Sequence, residues 1–194
     1  MAAAVIWPEE SAWTEEIRQI SEKIKDSKQV SAKLRQTLEA KIKEYAVAWS
    51  VGSVSANEID TLGMTKSNRL AFQRALQGIQ TPFGRVIIDG TLGIPDLNGI
   101  EQIIEPKGDG TYLAVAAASI LAKEGRDRVV ADFCRAEPGL ATYHIGSSKG
   151  YGTLKHREAI KTHGMHAEHR RLFLRKLLGL EHTISREGHL FIED

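Results

Sequence analysis

"KGDGTYLAVAAASILAKEGRD", Lys107 to Asp127, is the stretch whose reading decides the fold. It sets an aspartate between two glycines and follows it with a run of small apolar residues: Ala114, Ala116, Ala117, Ala118 and Ala122. Small side chains let a helix lie very close to a sheet. The stretch therefore predicts a long helix from Tyr112 to about Ala136, packed on strands, with Asp109 fixed near its start. A carboxylate in that place either supplies negative charge to a helix N-terminus or holds a metal. Asp127, further along the helix, has pairing with Arg126, Arg128 or Lys123 as its simplest explanation.

Working outward, "GRVIIDG" is a short apolar strand ending in Asp89 and Gly90, and "GIEQIIEP" is a second strand stopped by Pro106. Asp89 and Asp109 are separated by a turn and one strand, enough to return the chain to the same end of a sheet. In open α/β sheets that end is where ligands and catalytic groups collect. Two carboxylates there repel unless a cation joins them, so Mg²⁺ or Mn²⁺ is the physical expectation. The competing reading is that Asp89 opens a turn and Asp109 caps a helix.

Towards the N-terminus, "AAAVIW" reads as a strand ended by Pro8. Leu34, Leu38 and Ile42 mark an amphipathic helix opened by Ser31. "YAVAWSVGSV" alternates Val47, Trp49 and Val51 with smaller residues, as a strand with one covered face does. Ser55 and Glu58 have capping-box spacing and open a helix that continues, with a break near Gly63, to Gly78. Thr153 to His163 and His166 to Leu178 are two further helices, stopped by Gly164 and Gly179. Strands first and helices afterwards predict a mixed α/β domain with one sheet.

The 194 residues are 42% hydrophobic and 26% charged, the balance of an ordinary globular domain. The start, "MAAAVIWPEES", has neither the basic n-region nor the apolar core of a secretory signal. Cys134 is the only cysteine, which suits a cytoplasmic protein. The net charge is +1, yet residues 149–176 hold eight Lys/Arg against Glu158 and Glu168. That is +6 locally, leaving −5 elsewhere, and it suggests either a polyanionic ligand meeting one face or a solvated helix surface. "SKGYGTLKH" sets Tyr151 between glycines beside Lys149, with Thr153 opening a helix. Such glycines let backbone approach a ligand, and an exposed ring can stack on a base or sugar. His163, His166 and His169 lack the cysteine or carboxylate partners that would complete a zinc site. A phosphate loop of the G-x-x-x-x-G-K-[ST] type and a G-x-S-x-G elbow are both absent from the sequence.

In chain order, "DSKQVS", "EIDTLGMTKSNRLAFQRAL", "VIIDG", "KGD", "AAASILAKEGRD", "KGYGTLKHREAI" and "HGMHAEHRR" resemble ribonuclease HII over about residues 26–178. The resemblance implies a ribonuclease-H-like fold: a five-stranded mixed sheet with flanking helices and a helical C-terminal part. Residues 1–140 would form the catalytic core, 141–180 the helical substrate-binding part and 181–194 a tail. It implies a metal-dependent endonuclease that cuts RNA in RNA–DNA hybrids and 5′ to single ribonucleotides in duplex DNA, with Mn²⁺ or Mg²⁺. Asp89 and Asp109 match two of the family's four metal carboxylates. Tyr151 matches the tyrosine that packs on the deoxyribose after the ribonucleotide, and Lys149, Gly150 and Thr153 surround it. Lys28 matches a lysine near the substrate backbone, and Asp127 a recurrent aspartate of auxiliary role. The expected partners are hybrid or ribonucleotide-containing duplexes; no membrane is expected, and the complete protein would be a monomer.

One departure stands out. The family's first strand carries Asp-Glu-x-Gly-Arg-Gly, with two metal carboxylates and a 2′-hydroxyl sensor, and "MAAAVI" resembles the strand that follows it. Smaller departures are Ser148, where histidine is common, and Leu172, where serine is common. The expectation is a core without its first, central strand: an impaired ribonuclease, a binding remnant, or one fragment of a split enzyme.

Overall fold

Residues 1–25 and 31–179 are described by the structure, a computed structural model of the chain. The small-residue run forms α4, Leu113–Ala136, and everything else is arranged around it. Its buried face, Ala116, Ala117, Ile120 and Leu121, meets Ile24 of α1 (Glu15–Lys25) and Leu38 and Ile42 of α2 (Ala32–Tyr45). Ile24, Leu38, Ile42 and Leu121 are at most 1% exposed, so truncating any of them would cost about 2–5 kcal/mol. Two ion pairs also tie α2 to α4: Arg35 Nε lies 2.8 Å from Glu124 and Arg128 Nη2 lies 2.6 Å from Glu39.

Strand β1, Ala2–Ile6, pairs antiparallel with β2, Ala48–Gly52, placing Ala2 opposite Gly52 and Ile6 opposite Ala48. Strand β3, Arg85–Asp89, pairs parallel with β4, Glu101–Glu105. Among the described residues the strands form two separate pairs, not the single sheet expected from the sequence or the five-stranded one implied by the resemblance. Between the pairs lies an apolar cleft of about 460 Å³. Its walls are β1, β3, α4 and helix α3 (Ala56–Gln77). With strands spaced about 4.8 Å apart within a sheet, two pairs held apart by a cleft cannot share hydrogen bonds.

The caps are where local chemistry puts them. Ser31 Oγ accepts from Leu34 N, and Ser55 and Glu58 form a reciprocal capping box. Gly63, at φ 73°, breaks α3 as expected. Helix α6, Leu154–His163, is capped by Thr153 and ends at Gly164, where φ is 79°. A short helix α5, Ile145–Ser148, precedes it.

Two local expectations are corrected. The covered face of β2 is its small-residue face, whereas Val47 and Trp49 are exposed. A Cβ at Gly52 would lie 2.2 Å from the Ala71 carbonyl oxygen, so α3 sits where larger side chains cannot fit. Helix α7 spans only Arg171–Leu178, not from His166. Its first turn is fixed by Asp60 of α3, which accepts from Arg171 N and Leu172 N. Helix α1 has a local signal of its own: Ile17, Ile20 and Ile24 recur behind Thr14, whose Oγ1 accepts from Ile17 N.

A separate apolar cluster, Leu140, Tyr143, Ala159 and Ile160 with Leu174, Leu177 and Leu178, holds the C-terminal helices together. No described helix is long and apolar enough to cross a membrane.

Candidate active site and nucleic-acid interface

Asp89 is the last residue of β3, and β-pairing with Glu105 delivers it to the strand ends. The chain leaves β4 through Pro106 and turns at Lys107, which adopts a left-handed conformation at φ 63°. A single 3-10 turn, Gly108–Gly110, then carries Asp109 into the start of α4. The Gly108 N–H donates to Asp89 Oδ1 at 3.0 Å, so the turn that bears Asp109 is tied to the carboxylate of Asp89. Both aspartates line one cleft of about 580 Å³ together with Arg35, Lys107, Ser119, Ile120 and Lys123.

Sequence reasoning found the two carboxylates but not the cations around them. Arg35 comes from α2 and is oriented by the buried Glu124 across 89 positions. Lys123 comes from the second turn-pair of the small-residue helix, and its signal was only its place in that run. Arg35, Lys107 and Lys123 thus set three cations beside the two carboxylates. Lys28 lies outside the described residues.

The second group of expected residues gathers on the other half of α4. Lys149 and Gly150 both have positive φ, 52° and 70°, and this double left-handed turn swings Tyr151 back over the helix. Arg126 Cζ lies 4.0 Å from the centre of the Tyr151 ring, and Arg126 Nη2 donates to the Lys149 carbonyl oxygen at 2.6 Å. Lys149 Nζ donates to Asp127 Oδ2 at 2.6 Å. Asp127 is thus 8% exposed and paired with Lys149, with Arg126 a looser 3.8 Å partner. It is absent from the walls of the Asp89–Asp109 cleft. Tyr151 remains 50% exposed, as does Phe173 at 51%, where Arg170 stacks at 4.0 Å.

The histidines form a structural group under this surface. His156 Nδ1 meets the Tyr143 carbonyl oxygen at 2.6 Å, which makes that nitrogen the donor. His169 Nδ1 accepts from His166 N at 2.8 Å. Burial, helped by His156 and His166, pushes the His169 pKa down to about 4.

Comparison with known proteins identifies the family and the fold. The family model described as Ribonuclease HII matches residues 1–176. A ribonuclease HII of Parabacteroides distasonis is 41% identical over 172 residues, covering 89% of this chain and 80% of the relative. Among solved structures, the ribonuclease H2 of Pyrococcus horikoshii OT3 superposes with a TM-score of 0.68 at 24% identity, covering 91% of this chain and 92% of that one. Bst-RNase HIII, solved in complex with Mn²⁺, gives 0.56 at 19% identity, covering 76% and 61%.

Proposed function

The chain belongs to the ribonuclease HII family of hydrolytic endoribonucleases, and from that premise we propose how its own residues serve the reaction. The substrate is an RNA–DNA hybrid, or duplex DNA with single embedded ribonucleotides, cut on the 5′ side of the ribonucleotide. The observation that supports this reading is the single cleft in which Asp89 and Asp109 stand beside Arg35, Lys107 and Lys123.

The donor chemistry suits a hard divalent cation: two carboxylates at a strand end, one of them oriented by the Gly108 N–H. Among the described residues, no three His, Cys, Asp or Glu side chains converge into a fuller set. Asp89 and Asp109 would hold Mn²⁺ or Mg²⁺, which when bound supplies Lewis acidity and an acidified water at the scissile phosphate. Lys107, Lys123 and Arg35 bind the phosphate and offset its charge. Tyr151 offers its open ring face to the deoxyribose that follows the ribonucleotide. Lys149, Gly150 and Thr153 shape the turn and the start of α6 against the backbone.

The partial donor set also favours a second reading, that the 194 residues by themselves bind such duplexes without cutting them. The cleft between β1 and β3 supports the link between the two. Each strand turns an edge to it that pairs with no described strand, and five paired residues span about 17 Å. A strand bearing Asp-Glu-x-Gly-Arg-Gly in that cleft would join the two pairs and add two carboxylates.

Calorimetric titration with Mn²⁺ tests the metal reading. Asp89→Asn and Asp109→Asn should each weaken binding by at least about tenfold, the scale even of outer-sphere losses. Asp96→Asn, on an exposed loop, serves as the control. If Asp89→Asn behaves like that control, the cleft is not a metal site.

A further inference from the structure

The Lys149–Tyr151 turn is held to α4 by three contacts that use both Arg126 and Asp127. Arg126 stacks on one face of the Tyr151 ring, 4.0 Å from its centre, and donates to the Lys149 carbonyl oxygen at 2.6 Å. Asp127, almost fully buried, takes the Lys149 ammonium at 2.6 Å. These contacts hold a backbone that is otherwise unfavourable, since Lys149 is a non-glycine residue at φ 52°.

We propose that Arg126 and Asp127 are positioning residues that lock this turn so that only the outer face of Tyr151 is offered to substrate, making them determinants of ribonucleotide-junction preference. The inference rests on the substrate reading above. A ring sandwiched between guanidinium and sugar has one orientation, whereas an unsupported ring samples several rotamers and gives up part of its contact on ordering. Arginine is the side chain that can do this. Its planar guanidinium stacks on the ring and, in the same pose, reaches a carbonyl; a lysine ammonium is a point charge and does one or the other. Asp127 acts one step back: it neutralises and fixes Lys149, whose carbonyl is the anchor for Arg126. On this account Asp127 belongs to the turn and not to the metal cleft, and its charge contributes nothing to cation binding.

The test is fluorescence anisotropy with the 194-residue chain and two duplexes, identical except that one carries a single ribonucleotide. The ratio of the two affinities is the readout. Tyr151→Ala and Arg126→Lys should each reduce that ratio by about fivefold, the lower end of a ring-stacking contribution, with a smaller loss of affinity for the all-DNA duplex. The double variant should be no worse than Tyr151→Ala alone, because Arg126 works only through the ring. Asp127→Asn should lower the ratio less and leave Mn²⁺ affinity intact.

Additive losses, an unchanged ratio in Arg126→Lys, or an equal fall on both duplexes would each overturn the positioning role. A fall in Mn²⁺ affinity in Asp127→Asn would instead return Asp127 to the metal cleft. An unaltered chain that binds both duplexes equally would also overturn this inference, whereas one that binds neither duplex would overturn the substrate reading.

Discussion

Asp89 and Asp109 were legible as a pair because each is marked locally, one by a strand end and one by flanking glycines. What their surroundings do was not legible. Arg35 reaches the cleft only because Glu124 holds it from 89 positions away, and no short-range pattern encodes that. Asp127 shows the same limit: its neighbours in sequence are basic, yet its close partner is Lys149. His169 is the residue whose environment gives the clearest pH signature. Its pKa falls from 6.5 to about 4, chiefly through burial. The unfolded chain takes up the proton near pH 6.5 and the folded one only near 4. The stability contributed by neutral His169 is therefore complete above about pH 6.5 and is lost as pH falls towards 4. Hydrogen-exchange protection factors, corrected for the intrinsic rate at each pH, should fall in the Tyr143–Ile160 cluster as pH drops through that window, and His169→Asn, which keeps an acceptor for His166 N, should flatten the dependence. A His169 ring proton that titrates near 6.5 by NMR would contradict it.

Elements followed the sequence wherever their signals were local, and departed from it wherever a distant contact decided. The Ser31, Ser55 and Thr153 caps lie within three residues of the N–H groups they accept from. The start of α7 is set by Asp60, 111 positions earlier, so the apparent helix from His166 could not be trimmed from sequence alone. In β2 the period-2 alternation was read correctly but assigned to the wrong face. Large residues usually mark the covered side, yet here α3 approaches too closely for them. Gly52 is the residue that permits this. Gly52→Ala would place a methyl 2.2 Å from the Ala71 oxygen and 2.5 Å from the Ala75 nitrogen, both backbone atoms of α3 that cannot swing aside. Urea unfolding should show a loss of at least roughly 1–3 kcal/mol, the usual range for overpacking. A neutral result would mean that α3 does not sit on β2 in this way.

At the scale of the molecule, α4 organises everything: its N-terminal end carries the carboxylate cleft and its middle carries the Tyr151 turn. The order of the elements was readable because each is bounded by caps, glycines or prolines. The division of the strands into two pairs was not, since pairing depends on which edges meet and not on any one strand's composition. The apolar cleft of about 460 Å³ between β1 and β3 joins the fold to the chemistry. A strand seated there would meet one edge of β1 and one of β3, neither of which pairs with a described strand. The cleft and the two carboxylates together form the site proposed for ribonuclease action. The most direct measurement follows cleavage of duplex DNA carrying one ribonucleotide, in Mn²⁺, by the 194-residue chain with and without a segment bearing Asp-Glu-x-Gly-Arg-Gly, fused or supplied as a peptide. The chain alone should cut little or not at all, cutting should appear 5′ to the ribonucleotide once the segment is supplied, and Asp89→Asn should abolish that activity. Robust cutting by the chain alone, abolished by Asp89→Asn, would contradict that proposal, as would restored cutting that Asp89→Asn leaves untouched.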